Sequence, residues 1–200
     1  MDFNSTEYWK KRYASGGNSG SGSYGALAEF KAESLNRFIE DNKIRSIVEY
    51  GSGDGNQLGL INIENYLGLD VSPDAIKKTA EMYAAEPTKR FQLYDPDTFQ
   101  AGSNEQAEMS ISMDVILHLT EDVRYENYMN NLFNSGTRYV GIFNTATDTQ
   151  LEKMASHNRY RNHRNWIKEK SSEFEEVRVD ILPDSIGYPE ATGFFYYAVK

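Results

Sequence analysis

The 200-residue chain contains no cysteine and only five prolines. It also lacks any apolar run near the roughly 18 residues that can span a bilayer. Without cysteine, the chain has neither disulfides nor a thiolate nucleophile. Its first residues lack the basic start and apolar segment of a signal peptide. We therefore expect a cytoplasmic protein with no membrane span.

An excess of positive charge is missing as well. The chain has 21 Lys and Arg against 30 Asp and Glu, for a net charge of −9. Such a field repels a long nucleic-acid backbone. The basic residues are dispersed except for Arg159, Arg161 and Arg164, which follow His157 and flank His163. This cluster has two interpretations, a solvated helix face or part of a binding surface, and DNA is an unfavourable partner in either case.

A glycine-rich turn is the most informative feature that is present. Glu49 follows the apolar segment 44–48, and glycines stand at alternate positions 51, 53 and 55. Glycine permits positive φ angles and lets a ligand approach the bare backbone. A dinucleotide fingerprint needs glycines at 51, 53 and 56. Position 56 is Asn, so the spacing favours an E-x-G-x-G-x-G turn over an NAD site.

Three further predicted strands each end at an acidic residue. Segment 65–70 ends at Asp70, and Asp95 and Asp114 follow the next two strand-like segments. Carboxyl ends of parallel strands meet at one edge of a sheet, where open α/β sheets bind ligands. Asp70 lies nineteen residues after Gly51, close to the separation at which Rossmann-like folds place an acid on ribose hydroxyls. These acids predict a binding site at that edge.

Strands that alternate with helices predict a single α/β domain with a parallel sheet and right-handed crossovers. Ser72, Pro73 and Asp74 are typical of a helix start. Thr120 is the predicted cap of a later helix, whose Val123 we expect to face inward. Segments 174–182 and 193–199 predict a closing antiparallel pair. The longer helices are expected at residues 26–41, 73–84, 120–134 and 158–170.

A glycine- and serine-rich segment at 16–25 follows a short predicted helix. Tyr8, Trp9, Arg12 and Tyr13 precede it. One interpretation is a flexible linker. The other is a lid that closes over bound ligands and excludes water, which would explain why aromatic and basic residues adjoin it. We favour the lid, and divide the chain into an N-terminal helix and lid at 1–25 and a domain at 26–200.

The glycine turn at 49–55, with the strand-end acids that follow it, resembles class I S-adenosylmethionine-dependent methyltransferases. The similarity runs from about Tyr8 to the C-terminus. Within that superfamily, segments 13–23, 28–32 and 112–122 resemble a branch of small bacterial and viral enzymes associated with capsule, lipopolysaccharide and glycan synthesis. The resemblance implies a Rossmann-like fold whose seven-stranded, mostly parallel sheet has the order 3-2-1-4-5-7-6 and an antiparallel closing hairpin.

The resemblance also implies a methyl donor, an acceptor and their contacts. The donor would be S-adenosylmethionine and its product S-adenosylhomocysteine. The acceptor would be a sugar hydroxyl, such as that of a deoxyhexose like rhamnose, and the chain could be one module of a larger glycan-synthesising protein. The implied acceptor contacts are Tyr8, Trp9, Arg12, Arg159 and Arg161. The implied cofactor contacts are Tyr13, Glu49, Gly51, Ser52, Gly53, Gly55, Gln57, Asp70, Val71, Tyr94, Asp95 and Met113.

Methylation of an alcohol benefits from a general base, typically by ~10²–10⁴-fold. Asp114 and His118 lie four residues apart just past a strand, so a helical turn would point both into one pocket. His157 is a rival base. The spacing of acids and histidines predicts no metal site. Two other functions stay open, namely methylation of a small metabolite or nucleotide and a non-catalytic binding module. DNA methylation is disfavoured because cysteine and a [DN]-P-P-[YF] motif are both absent.

Overall fold

The computed structural model describes residues 3–200, except for the side chain of Ser185. Within that range, no helix has the length and apolar character that crossing a bilayer requires. The helices are α1 (Ser5–Ala14), α2 (Gly25–Asn42), α3 (Pro73–Met82), α4 (Asp122–Ser135) and α5 (His163–Lys170). The strands are β1 (Ser46–Tyr50), β2 (Asn65–Asp70), β3 (Lys89–Leu93), β4 (Ala107–Met113), β5 (Gly136–Thr145), β6 (Phe174–Ile181) and β7 (Thr192–Val199).

The seven strands form one sheet in the order β3-β2-β1-β4-β5-β7-β6. Strands β1 to β5 pair in parallel, and β7 runs antiparallel to both β5 and β6. In the centre, Val48 of β1 lies opposite Leu67 of β2 and Ser110 of β4. The predicted strand order and closing hairpin are therefore confirmed. The carboxyl ends of β1, β2 and β4 meet at one edge of the sheet.

Each face of the sheet carries its own apolar core, because successive side chains of a strand point to opposite faces. Val48 and Tyr50 of β1 belong to the cluster that includes Leu132 of α4. Ile47, which directly precedes Val48, belongs to the opposite cluster with Leu35 of α2. Burial on both faces explains why successive residues of a central strand, such as Ile47 and Val48, can both be apolar.

The start of α3 agrees with its sequence signals. Ser72 is the N-cap and its hydroxyl accepts the N–H of Ala75 at 3.4 Å. Pro73 occupies the first turn, where its missing N–H costs nothing, and Asp74 places a negative charge near the positive end of the helix. The helix therefore begins directly after the acid that closes β2.

The predicted start of α4 is wrong. The N-cap is Glu121, one residue after Thr120, whose hydroxyl instead donates to the Glu121 carboxylate at 3.1 Å. Val123 does not face inward, since it is 71% exposed. The buried stripe of α4 contains Tyr125, Tyr128, Met129 and Leu132. Val123 precedes Tyr125 by two residues, which places it about 200° around the helix from that stripe.

The helix predicted at 158–170 is shorter than expected, since α5 begins at His163. The preceding backbone N–H groups bond to distant partners instead of forming helical bonds. Arg159 N–H donates to the Leu117 carbonyl at 2.7 Å, and Asn162 N–H donates to Asp148 at 2.9 Å. The first bond holds the loop before α5 against the turn that follows β4, and the second holds it against the loop that follows β5.

His163 is fully buried at the start of α5, where its ring packs edge-on against Phe195 at 4.8 Å. Neither ring nitrogen has a hydrogen-bond partner within the described part of the chain. Burial lowers the pKa of His163 to about 3, with a smaller contribution from the charge of Arg164. The folded protein therefore keeps this imidazole neutral.

Acid should destabilise the protein through His163. Below pH ~6.5 the unfolded chain gains a proton at this residue that the folded chain does not bind until about pH 3. The free energy of unfolding should therefore fall by up to ~1.4 kcal/mol for each pH unit within that window. His163→Phe should reduce the pH dependence of unfolding by about one proton, measured by urea denaturation from pH 7 to 4. An unchanged slope would contradict this assignment.

Candidate active site

A cavity lies at the carboxyl edge of β1, β2 and β4, with about 830 Å³ of space when its open mouth is included. Its wall includes Glu49, Asp70 and Asp114, which come from three different strand ends. Helix α1 covers one side. The start of α1 is held in place because the N–H and hydroxyl of Ser5 both donate to Glu121, at 3.0 and 3.2 Å. The cavity lies at the edge of the sheet where the sequence predicts a binding site.

The glycine turn forms the floor of this cavity. Gly51, Gly53 and Gly55 have φ angles of 81°, 61° and 80°, in the left-handed region. A Cβ at Gly51 would lie 2.4 Å from Val115, and one at Gly53 would lie 2.4 Å from the Ser19 hydroxyl. Conformation and space therefore both require glycine at these two positions.

Gly55 serves a different purpose from the one expected. A Cβ there would lie 2.9 Å from Thr79 and 3.1 Å from Tyr83. The Gly55 carbonyl also accepts the Tyr83 hydroxyl at 2.8 Å. Gly55 therefore lets the turn pack closely on α3 and does not line the cavity.

Asp70 is buried at the end of β2 and braces the glycine turn. One carboxylate oxygen accepts the N–H of Gly53 at 2.9 Å, and the other accepts the N–H of Ser72 at 2.9 Å. Burial raises the pKa of Asp70, and these backbone hydrogen bonds oppose that rise. Each carboxylate oxygen retains a second acceptor position. Asp70 can therefore hold the turn and also accept donors from a ligand.

Glu49 is buried at the end of β1, where the Tyr66 hydroxyl donates to its carboxylate. Burial raises the pKa of Glu49 to about 7, although the Tyr66 hydrogen bond and the charge of Lys31 oppose the rise. The group therefore changes charge near neutral pH and responds to any charge that enters the cavity.

Asp114 and Lys31 form an ion pair on the cavity wall. Asp114 has a φ of 59°, and its N–H donates to the Phe143 carbonyl at 3.2 Å. The Lys31 ammonium lies 2.6 Å from Asp114 Oδ2. The sequence interpretation missed Lys31, although a signal exists. Lys31 lies at four-residue spacing between Leu27 and Leu35, on the apolar face of α2.

His118 lines the cavity from a single 3₁₀ turn, Ile116–His118, and not from an α-helix. Its Nδ1 lies 3.1 Å from the His157 carbonyl oxygen, and a carbonyl only accepts. Nδ1 therefore carries the proton, which leaves the lone pair on Nε2. Burial lowers the pKa of His118, so the ring is neutral at pH 7. Trp9 packs edge-on against it at 5.0 Å.

His157, the rival base, lies outside the cavity wall. Its ring stacks on Tyr8 at 4.7 Å and lies 5.6 Å from the ring of His118. Burial lowers the pKa of His157, and the charge of Arg12 contributes. His157 and Tyr8 therefore support His118 and Trp9 from behind, whereas His118 and Trp9 face the cavity.

The three arginines expected at the acceptor are also outside the wall, and each is engaged within the chain. Arg12 donates to the Asn18 carbonyl at 2.6 Å. Arg159 and Arg161 both pair with Asp122 at 2.8 Å. Arg161 also donates to the Leu119 carbonyl at 3.0 Å and lies over the ring of Tyr125. These contacts hold the three guanidinium groups within the chain and away from the cavity wall.

Asp95 is exposed and caps the turn after β3, where its side chain accepts the Asp97 N–H at 3.0 Å. It does not line the cavity. The neighbouring Tyr94 and Pro96 do. Among the other residues implied for the cofactor, the cavity wall contains Tyr13, Ser52, Gln57, Val71 and Met113.

Segment 16–24 lies against the glycine turn. Ser19 N–H donates to Asp54 at 3.0 Å, and Asp54 N–H donates to the Ser19 hydroxyl at 2.9 Å. The Tyr24 hydroxyl donates to the same Asp54 carboxylate at 2.6 Å. Asp54 is buried, and the sequence interpretation missed it. These hydrogen bonds lower the pKa of its carboxyl, although burial acts in the opposite direction.

Two buried polar atoms on the wall lack a partner in the described structure, namely the Ser52 hydroxyl and Gln57 Oε1. Buried polar groups are nearly always satisfied, so these two favour a polar ligand. Within residues 3–200, no group of three or more acidic or histidine side chains is arranged to hold a metal ion. The carboxylates and the two unpartnered oxygens of the wall fit an organic, partly cationic ligand.

This strand order and cavity position define the fold of class I S-adenosylmethionine-dependent methyltransferases. The N-methyltransferase NodS from Bradyrhizobium japonicum, in complex with S-adenosylhomocysteine, aligns with a TM-score of 0.70 and 12% identity over 98% of this chain and 99% of its own. The magnesium protoporphyrin IX methyltransferase ChlM from Synechocystis, with bound S-adenosylmethionine, aligns with a TM-score of 0.68 and 13% identity. The alignment covers 100% of this chain and 99% of ChlM. The bacterial Hen1 methyltransferase domain aligns with a TM-score of 0.67 and 12% identity, over 86% of this chain and 97% of that domain.

No protein-family model and no curated protein matches the chain by sequence. The fold expected from the sequence is nevertheless confirmed. The names of these structures indicate different acceptors, and a shared fold does not define the acceptor.

Proposed function

We propose that the protein is an S-adenosylmethionine-dependent O-methyltransferase whose acceptor is the hydroxyl of an uncharged sugar. The observation that carries this proposal is the cavity that joins a glycine turn and buried strand-end acids to an aromatic wall. The methyltransferases that share the fold, crystallised with S-adenosylmethionine or S-adenosylhomocysteine, support the same donor.

The donor half of the cavity suits a cationic nucleoside. Glu49, Asp54 and Asp70 supply carboxylates on the wall, which favour a positive charge. Asp70 is the group we assign to the ribose hydroxyls. The unpartnered Ser52 hydroxyl and Gln57 Oε1 offer further hydrogen bonds. The bare backbone at Gly51 and Gly53 admits the methionine part of the donor at close range.

The acceptor half suits a neutral polyol better than a phosphorylated one. Trp9 presents an aromatic surface on the wall, and sugar rings pack well on such surfaces. Arg12, Arg159 and Arg161 are occupied by contacts within the chain, and Lys31 is paired with Asp114. The wall therefore offers no unpaired cation, within the residues described, for a phosphate. This disfavours nucleotides and sugar nucleotides as acceptors.

S-adenosylmethionine would supply a methyl group whose bond to sulfur breaks, with the electron pair left on sulfur, as the acceptor oxygen bonds to carbon. The chain orients the acceptor and removes its proton. We assign proton acceptance to Asp114, whose side chain is partly exposed to the cavity. His118, neutral with its lone pair on Nε2, is the second candidate. His157 is assigned to holding His118.

We further propose that segment 16–24 is a lid over the donor. Its contacts with Asp54 explain how a glycine- and serine-rich segment is held on the glycine turn. A lid that excludes water strengthens the electrostatic interactions inside the cavity. We expect the segment to move when the donor binds, because Ser19 lies against Gly53 on the cavity floor.

Tyr24→Phe should loosen this lid. The change removes a hydrogen bond to a carboxylate, worth ~1.5–3 kcal/mol, so the open population should rise by ~10-fold or more. Chymotrypsin still cleaves after Phe, so the rate of cleavage at residue 24 compares the two proteins directly. S-adenosylhomocysteine should slow cleavage of the wild type. Tyr160→Phe is the control, since the Tyr160 hydroxyl has no partner in the described structure. Equal cleavage rates in all cases would contradict the lid.

The proposed function is tested with a panel of acceptors. Purified protein and S-adenosylmethionine are incubated with neutral glycosides, including deoxyhexosides, and with nucleotides, sugar nucleotides and small amines. Release of S-adenosylhomocysteine is then measured. We expect turnover with neutral glycosides. Turnover only with phosphorylated or amine acceptors would overturn the sugar assignment. Donor binding without turnover on any acceptor would instead favour a non-catalytic binding module.

A further inference from the structure

Lys31 is a buried lysine at the wall of the candidate active site. Its side chain is 1% exposed, and its ammonium lies 5.3 Å from the ring centroid of Phe143. An ammonium removed from water costs several kcal/mol unless it is paired. The partner is Asp114, whose Oδ2 lies 2.6 Å away. The pairing with Asp114 therefore compensates the burial of Lys31.

The charge of Lys31 does not suit the donor. A second positive charge on the wall repels a sulfonium, so selection for donor binding alone would disfavour a lysine here. Glu49 is within electrostatic range of Lys31, but its carboxylate is hydrogen-bonded by Tyr66 and not by the ammonium. The direct contact of Lys31 is with the acceptor-side carboxylate.

Asp114 is held in an unusual way. Its φ of 59° lies in the left-handed region, which costs a non-glycine residue roughly 1–2 kcal/mol. Oδ2 is bound by Lys31 and covered by Gly22, since a Cβ at Gly22 would lie 2.7 Å from it. Within residues 3–200, Oδ1 makes no hydrogen bond. One oxygen is therefore fixed, and the other is left for a ligand.

We propose that Lys31 is a positioning residue that binds Asp114 Oδ2 and thereby presents Oδ1 to the acceptor hydroxyl. This inference rests on the proposed function, in which Asp114 accepts the hydroxyl proton. Lys31 itself does not contact the reacting atoms. It restricts the conformations of a carboxylate whose backbone is strained.

The test compares Lys31→Met, Asp114→Asn and the double variant with the wild type. In the crystal structure of Lys31→Met we expect Asp114 to leave the left-handed conformation or to turn Oδ1 out of the cavity. The double variant should recover much of the melting temperature lost by Lys31→Met, because it removes both charges. Turnover of Lys31→Met should fall about 10²-fold, with the KM of the acceptor changed less than about threefold.

Arg37→Met is the matched control, because it removes an exposed cation of α2 that pairs with Glu33 at 2.7 Å. It should leave turnover unchanged. An unmoved Asp114 in Lys31→Met, or additive changes in melting temperature, would overturn the proposal. If Lys31→Met fails to fold, a folded double variant supports the proposal and an unfolded one contradicts it. The crystal structure and the melting temperatures test the role of Lys31 without an acceptor. The proposed function is tested separately, since a wild type that binds neither S-adenosylmethionine nor S-adenosylhomocysteine would contradict it.

Discussion

Asp114→Asn is expected to lower kcat by ~10²–10⁴-fold, the range that a general base contributes. Asn keeps the shape of Asp and can still accept a hydrogen bond from Lys31, but it cannot take the proton of an acceptor hydroxyl. The KM for the acceptor should change little. Steady-state kinetics with the best acceptor of the panel provide the measurement.

Two further measurements separate this result from simpler explanations. Asp114→Asn leaves the buried Lys31 ammonium without a charged partner, so the melting temperature and the affinity for S-adenosylhomocysteine should be recorded alongside turnover. His118→Gln tests the second candidate base. A loss of turnover in His118→Gln that exceeds the loss in Asp114→Asn would transfer the base assignment to His118.

Asp70→Asn is expected to weaken binding of S-adenosylhomocysteine by ~10²-fold or more. The two hydrogen bonds that we assign to the ribose hydroxyls have a charged acceptor and are worth ~3–6 kcal/mol together. Each ~1.4 kcal/mol corresponds to a tenfold change in affinity. The variant also loses carboxylate acceptors for the N–H groups of Gly53 and Ser72, which loosens the glycine turn. Isothermal titration calorimetry measures the effect.

Asp95→Asn is the matched control for this second prediction. Asp95 follows β3, the strand next to β2, but its side chain is exposed and accepts the Asp97 N–H. The change should alter the affinity by less than about twofold. Equal losses in Asp70→Asn and Asp95→Asn would show that a general change of charge, and not a contact in the cavity, is responsible.

The sheet was predictable because local signals determine it. The alternation of strands and helices predicts the parallel sheet, and the resemblance supplied the strand order that the structure confirms. The glycine turn and Asp70 were predictable for a similar reason, since both belong to one β-α-β unit with a regular spacing.

The missed features depend on contacts between distant parts of the chain. Lys31 and Asp114 are 83 residues apart, and Asp54 meets Ser19 across 35 residues. The sequence also could not separate His118 from His157, because only the path of the loop before α5 shows which of them faces the cavity. The ion pairs of Asp122 with Arg159 and Arg161 present the same difficulty, because the positions of these residues in the sequence do not indicate that they are in contact.

The charge state of Glu49 has a consequence for cellular conditions. Burial raises the pKa of Glu49 to about 7, so the charge of this group changes across the neutral range. A sulfonium ligand binds more tightly to the protein whose Glu49 is ionised. Its binding should therefore release a fraction of a proton, and its affinity should increase as the pH rises. Titrations in two buffers with different ionisation enthalpies would reveal that release. If the donor is the one proposed, mild acidification should therefore weaken its binding and lower turnover at concentrations below saturation.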